Sequence, residues 1–225
     1  MFVLSKDQQK PFEIGQEVLQ KIDWQRRHDH MQQHSAQHLI TAIANIEFQM
    51  PTTAWNLGEE TCFIEMDTPE IGEDILQALE LKVNQKICER VPVEVTLRER
   101  DDLKDVRFHL EVPDDWTGLI RIVSIEGIDK NTCCGTHVSN LGELKSIKLI
   151  GTQKGKKGRT QLYFLAGSRV FQYFDRSLKR EKVLTQALKC PNEEMHLMVE
   201  KLQQNIRKLQ KVKIFNFQIL FYIVL

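Results

Sequence analysis

The sequence predicts an α+β fold: an antiparallel sheet with helices packed on one side. Three observations carry this. Two stretches with helical apolar spacing come first, β-branched alternating segments follow Pro92, and helical spacing returns after Ser168. Helices and strands grouped in this way belong to α+β domains rather than to alternating α/β folds. A chain of 225 residues can bury one sizeable core. Its 41% hydrophobic and 28% charged residues are an ordinary globular composition.

The elements follow in order. Glu17 to Asp23 reads as a short edge strand after Pro11. A helix is expected from about Trp24 to Phe48, where Leu39, Ile40, Ile43 and Ile46 keep helical spacing. Pro51 to Gly58 reads as a loop and Thr61 to Met66 as a strand. Ile71, Ile75, Leu79, Val83 and Ile87 recur every four residues, so Glu70 to Glu89 reads as an amphipathic helix. Its acidic start and its late Lys82 and Lys86 suit the helix dipole.

Beyond Pro92, Val93, Val95 and Leu97 alternate with Glu94, Thr96 and Arg98, as in a half-buried strand. Leu119 to Ile125 is apolar and β-branched enough for a strand buried on both faces. Ser146 to Ile150 and Thr160 to Leu165 are two further strands, with a glycine-interrupted basic turn from Gly151 to Arg159 between them. A helix runs from Ser168 to about Lys189, Pro191 breaks it, and Asn192 can cap the next. That helix carries Met195, Val199, Leu202, Ile206 and Leu209 at heptad-like spacing. Two heptads fall short of a coiled coil, so a helical hairpin is expected. The end, Ile214 to Leu225, is nearly all apolar but shorter than the roughly 20 residues of a membrane helix.

Charge and cysteine usage narrow the setting. Lys plus Arg equals Asp plus Glu, yet the signs are segregated. Ten acidic and no basic residues lie between Arg27 and Lys82; six basic and no acidic residues lie from Lys145 to Gln161. Such a chain can present a basic face to a polyanion. Five cysteines without framework spacing point to a reducing compartment. The first residues carry no secretory pattern, so a cytoplasmic protein is expected.

Chemistry concentrates in two short motifs. His34-Ser-Ala-Gln-His38 sets two imidazoles at i and i+4, on one face of the expected helix. Cys133-Cys-Gly-Thr-His137 offers a thiolate and an imidazole across a glycine-containing turn. Alone, the first pair reads more readily as two polar residues on a helix face. Together the four suit one zinc ion per chain, which takes mixed nitrogen and sulfur ligands. Cys134 is the alternative thiolate, but its spacing to His137 would direct the two side chains apart in extended backbone. A zinc protease helix needs Glu after its first His, and Ser35 stands there. The His-x-Glu and Pro-Cys-x-x-Cys pattern of zinc deaminases is also missing.

These motifs resemble the editing domain of alanyl-tRNA synthetase, and more closely the freestanding alanyl-tRNA editing proteins. The resemblance runs from about Trp24 to about Val170. It includes Val83-Asn-Gln-Lys-Ile-Cys-Glu-Arg-Val-Pro-Val93, Gly142-Glu-Leu144 and the Gly/Lys-rich turn before the strand Leu162 to Leu165. It implies the editing-domain fold of the threonyl- and alanyl-tRNA synthetases. It also implies hydrolysis of mischarged Ser-tRNA(Ala), and of Gly-tRNA(Ala), in trans. His34, His38, Cys133 and His137 match the family's zinc ligands one by one. Four protein ligands ordinarily close a zinc site, so catalysis needs one ligand to be weak or absent, or the ion to expand its coordination; His137 is the ligand expected to be loosest. No carboxylate near either motif stands out as a general base, which leaves the terminal ribose hydroxyl of the tRNA.

Further roles are expected on this footing. Thr52, Thr53 and Thr136 are candidates to bond a serine hydroxyl. Lys154, Lys156, Lys157 and Arg159 are candidate phosphate contacts for tRNA(Ala). Trp55 and Trp116 read as packing residues rather than base-stacking platforms. The chain divides into residues 1–23, a remnant of the family's N-terminal β-barrel subdomain; 24–167, the zinc-binding editing domain; 168–213, the helical hairpin; and 214–225, the apolar tail. Cys134 stands where synthetase domains usually have glycine. The alternative function is a non-catalytic, zinc-stabilised tRNA-binding or interaction module. No membrane partner is expected, and the pattern leaves the oligomeric state open.

Overall fold

The computed structural model describes residues 14–103, 106 and 116–224, with side chains through Ile214. Asp23 starts the first helix, α1 (Trp24–Phe48), by accepting the Arg26 N–H at 3.1 Å. The rest of the expected Glu17 to Asp23 strand is exposed chain without secondary structure. Among the described residues no strand lies beside it to complete a ladder, so the expectation of a strand is corrected. Residues 1–13 of the expected barrel remnant lie outside the described residues.

The strands are β1 (Thr52–Leu57), β2 (Cys62–Met66), β3 (Val93–Arg98), β4 (Ile120–Ile125), β5 (Asp129–Thr132), β6 (Ile147–Lys154) and β7 (Thr160–Ala166). The other helices are α2 (Glu73–Cys88), α3 (Ser168–Leu188) and α4 (Met195–Val224). The α+β class holds, and the strands divide into two antiparallel sheets, ordered β1-β2-β7-β6 and β3-β4-β5. Three local expectations change. Pro51 to Gly58 holds β1, an edge strand that pairs only with β2; a bulge between Thr52 and Ala54 and one open side hide its alternation. The polar segment β5 forms because the turn at Gly127 (φ +67°) folds it back on β4. β6 runs on to Lys154, so Gly151 lies within the strand and the turn spans Gly155 to Arg159.

The main core lies between α1 and α2 and one face of the larger sheet. Leu39, Ile40 and Ile43 of α1 and Leu79, Val83 and Ile87 of α2 meet Ile64, Leu162 and Phe164. Two buried amides stitch helix to strand. Gln33 pairs with both backbone groups of Ala166 at 3.0 Å. Asn84 does the same for Ile147 at 2.8 and 2.9 Å. Each replaces a ladder partner that the strand end lacks.

The smaller sheet joins this core through Val93, Val123 and Ile125. Its other face buries Ile120 and Ile122 with Leu103 and Val106. After β5 the chain crosses back over α1 and is held at Pro92: the Val93 N–H donates to Ser139 O and the Leu141 N–H to Val91 O, both at 2.9 Å. The crossing segment, residues 133–138, is thereby laid against the middle of α1. Beyond the sheets, α3 and α4 follow in succession across Pro191, and α4 continues through Lys213 to Val224 without a break. Tail side chains from residue 215 on lie outside the described residues. Among the described residues no helix is long and apolar enough to cross a membrane.

Candidate metal centre

The helical i, i+4 spacing places the rings of His34 and His38 5.0 Å apart. The crossing segment brings the other two donors. The Cys133 N–H bonds Arg121 O at 3.2 Å, which extends the β4–β5 ladder and fixes where the thiol stands. Ser35 fixes the far end. Its hydroxyl accepts the Val138 N–H at 3.1 Å and lies 3.2 Å from His137 Nδ1. One ligand atom from each of His34, His38, Cys133 and His137 lies within 4.8 Å of the others. Cys133 Sγ is 3.5 Å from His34 Nε2 and 3.4 Å from His137 Nε2. Tetrahedral zinc with Zn–S near 2.3 Å and Zn–N near 2.0 Å separates such ligand atoms by about 3.6 Å. The donor set and its spacing therefore fit zinc.

Local chemistry supports ligation. Gly135 is required: a Cβ there would collide with the His34 ring. Its N–H also donates to Cys133 Sγ at 3.4 Å. Burial pushes the Cys133 thiol up, opposed by the Gly135 N–H and the nearby Arg121 charge. Burial pushes His137 down to about 3, aided by His34 and Arg121. Burial also lowers His34, opposed by its bond to the Thr136 carbonyl. Buried imidazoles held neutral keep a lone pair for a metal. His34 has Thr136 and His137 has Ser35 behind the ring, the kind of support that orients metal ligands. His137, expected as the loosest ligand, has a buried ring and this bond to Ser35.

The other expected residues scatter. Thr136 stands in the metal loop, and its hydroxyl accepts from Arg27 Nη1 at 3.3 Å. Thr52 donates to Thr41 of α1 at 3.1 Å, one helical turn beyond His38. Thr53 is turned away and donates to Glu65 at 2.9 Å. Cys134 is exposed and outside the four-residue cluster. Lys154, Lys156 and Lys157 are exposed at the β6–β7 hairpin, whereas Arg159 pairs with Glu65 at 3.2 Å and Asp67 at 3.5 Å. His28 bonds Glu143 and Asp29 pairs with Arg169, so the charged start of α1 is a clamp rather than a further metal motif.

Sequence reasoning missed four contributors. Ser35 and Gly135 lie inside the two motifs and were visible there only as spacers. Arg121 is a strand residue whose guanidinium bonds the Cys133 carbonyl at 2.5 Å. Trp55, expected as a packing residue, is 43% exposed, and its ring lies 5.8 Å from that of His34.

Comparison with known proteins adds the following. Residues 120–165 match the threonyl and alanyl tRNA synthetase second additional domain, a span that holds Cys133 and His137. The chain is 49% identical over 205 residues to alanyl-tRNA editing protein Aarsd1 of Rattus norvegicus, covering 90% of this chain and 50% of that protein. It is 28% identical over 221 residues to the putative alanyl-tRNA editing protein alaX of Saccharomyces cerevisiae, covering 88% and 47%. It is 30% identical over 206 residues to the alanine–tRNA ligase of Streptococcus gordonii, covering 89% and 24%. The chain spans about half the length of the editing proteins it matches.

Proposed function

As a homologue of the alanyl-tRNA editing proteins over nine tenths of its own length, the chain is, we propose, a zinc-dependent deacylase that removes serine, and glycine, from mischarged tRNA(Ala) in trans. The observation that carries this is the meeting of His34, His38, Cys133 and His137 in one cluster. An alanine-charging site separates Ser and Gly from Ala poorly, because a hydroxyl more or a methyl less changes binding too little; hydrolysis afterwards corrects the error.

The reaction is ester hydrolysis. Water adds to the aminoacyl carbonyl, the bond to the ribose oxygen breaks, and a proton returns to that oxygen. His34, His38, Cys133 and His137 would hold a zinc ion, which would supply Lewis acidity toward such an ester once one ligand loosens or the coordination expands. The chain's own groups shape the site. Ser35 and the Thr136 carbonyl set the ring orientations of His137 and His34. The Gly135 N–H and Arg121 favour the thiolate of Cys133. Arg27, anchored on Thr136, puts a guanidinium beside the loop for the phosphates of the tRNA end. The lysines of the β6–β7 hairpin contact phosphates farther along the tRNA, with Arg159 kept in its ion pairs. We assign the editing domain to residues 24–167 and the helical hairpin to 168–213. A cytoplasmic setting fits the tRNA substrate and the five unpaired cysteines.

One observation favours the rival reading, a non-catalytic zinc-stabilised module: four protein ligands fill a tetrahedral zinc. A deacylation assay with Ser-, Gly- and Ala-charged tRNA(Ala), with and without chelator, separates the two. The enzyme reading expects loss of Ser and Gly, retention of Ala, and a fall to the buffer rate on chelation or in Cys133→Ala. Full-rate hydrolysis by Cys133→Ala sinks the metal's role. A wild-type protein that binds zinc yet leaves all three substrates intact establishes the module instead.

A further inference from the structure

We propose that Trp55 is the base platform of the site: its indole stacks on the terminal adenine of the tRNA while the aminoacyl ester lies at the metal ligands. This rests on the function proposed above and adds the group that holds the substrate's end.

The placement follows from the sheet. Trp55 lies opposite Ile64, so its side chain belongs to the sheet face that packs on α1. On an inner strand that position would be buried, as Ile64 and Leu162 are. β1 is the edge strand, however, so Trp55 reaches past the rim of the core to the cluster. The His34 ring lies 5.8 Å away and tilted by 36°, covering part of one side. The residue keeps 43% of its surface accessible. Trp24 and Trp116 are more exposed, so exposure alone singles out nothing; what sets Trp55 apart is an indole within ring-contact range of His34, a flat apolar face beside the polar cluster.

The chemistry of the substrate selects which part of it fits. Serine and glycine have no aromatic or extended apolar group to match an indole. The nucleoside that carries them does, and its ribose separates the ester from the base by about the length of one side chain. Stacking is tolerant of sequence because every base has a π-face. All tRNAs end in adenosine, so Trp55 contributes affinity and ester placement, and leaves the choice of tRNA to other contacts.

The test uses the full zinc-loaded chain with Trp24→Phe and Trp116→Phe, so that Trp55 is the sole indole. The probes are a short RNA ending in CCA with serine joined to its last ribose by an amide, and the same RNA with an abasic last ribose. The expected result is quenching of the indole emission by the first probe and not by the second. In the wild-type background, Trp55→Ala weakens binding of the first probe about five- to hundredfold. Trp55→Phe stays within about threefold, and the abasic probe binds all three proteins alike. With charged tRNA the change falls on KM rather than kcat. Equal quenching by both probes, or none, overturns the proposal. So does a Trp55→Ala protein that keeps full preference for the adenine probe. If Trp55→Ala fails to fold, the quenching in the Trp55-only protein decides. The quench is read without turnover, so a wild type that hydrolyses nothing defeats the functional reading and leaves the base platform judged separately.

Discussion

Along α1, Gln32, Gln33, Ser35, Gln37, His38 and Thr41 are polar and buried. Along α3 only Arg169 is buried, while Phe171, Phe174, Leu178 and Leu184 are exposed. The exposed apolar set continues on α4 with Leu202, Ile206 and Leu209. The two regions invert the usual rule in opposite directions. On α1 the burial of polar groups is compensated by named partners, Gln37 Oε1 excepted: Gln32 donates to Glu143 O at 2.6 Å, Gln33 pairs with Ala166, and Ser35 bonds Val138. Each bond joins the helix to a distant segment that the metal site needs in place. On the hairpin, apolar residues line a surface that neither helix nor sheet covers. An open groove of about 500 Å³ runs between α3 and β6, lined by Ile150, Leu165, Phe171 and Phe174. Buried polarity thus marks the part of the chain whose geometry is fixed from many sides; exposed apolarity marks the part fixed from few.

The largest test of this contrast is Arg169. It is the one buried residue of α3, and its guanidinium clasps Asp29 at 2.7 and 2.9 Å and donates to Gly58 O at 2.6 Å. Arg169→Ala leaves the partly buried Asp29 carboxylate without its cation, held only by Gln33 at 3.3 Å, and Gly58 O with only the weak Cys62 thiol contact. A loss of about 3 kcal/mol in urea unfolding is expected, at the low end for buried pairs because Asp29 keeps some water contact. Ser35→Ala comes next. It removes the acceptor of the Val138 N–H and the partner of His137, so zinc affinity should fall about ten- to hundredfold by chelator competition, with the fold retained. The smallest effect belongs to the hairpin: Leu202→Gln and Ile206→Gln should each change stability by less than about 0.5 kcal/mol. A large loss there would show that the α4 face is covered in solution and would break the contrast.

Much of this was legible beforehand, and the reasons differ by element. The spacing of His34 and His38 sufficed because i and i+4 face one way on any α-helix. The stripe of α2 from Ile71 to Ile87 was legible for the same reason, and its buried members lie in the core as expected. β1 and β5 were not legible. One has an open edge and a bulge, the other is polar throughout, and both owe their extended shape to the strand beside them. Glu17 to Asp23 failed in the opposite sense, with strand-like residues and no strand beside them.

The site divides along the same line. By itself the sequence picked out four residues that could together hold a metal ion, and determined which two share a helix face, because residue type and helical period are local properties. Only the tertiary structure decided that Cys133 comes within 3.5 Å of His34. It alone made Ser35 a support for His137, Gly135 the one residue that clears the His34 ring, and Trp55 a neighbour of the cluster. Those relations join segments up to about a hundred residues apart. They depend on how the sheets close around α1, which no local pattern encodes.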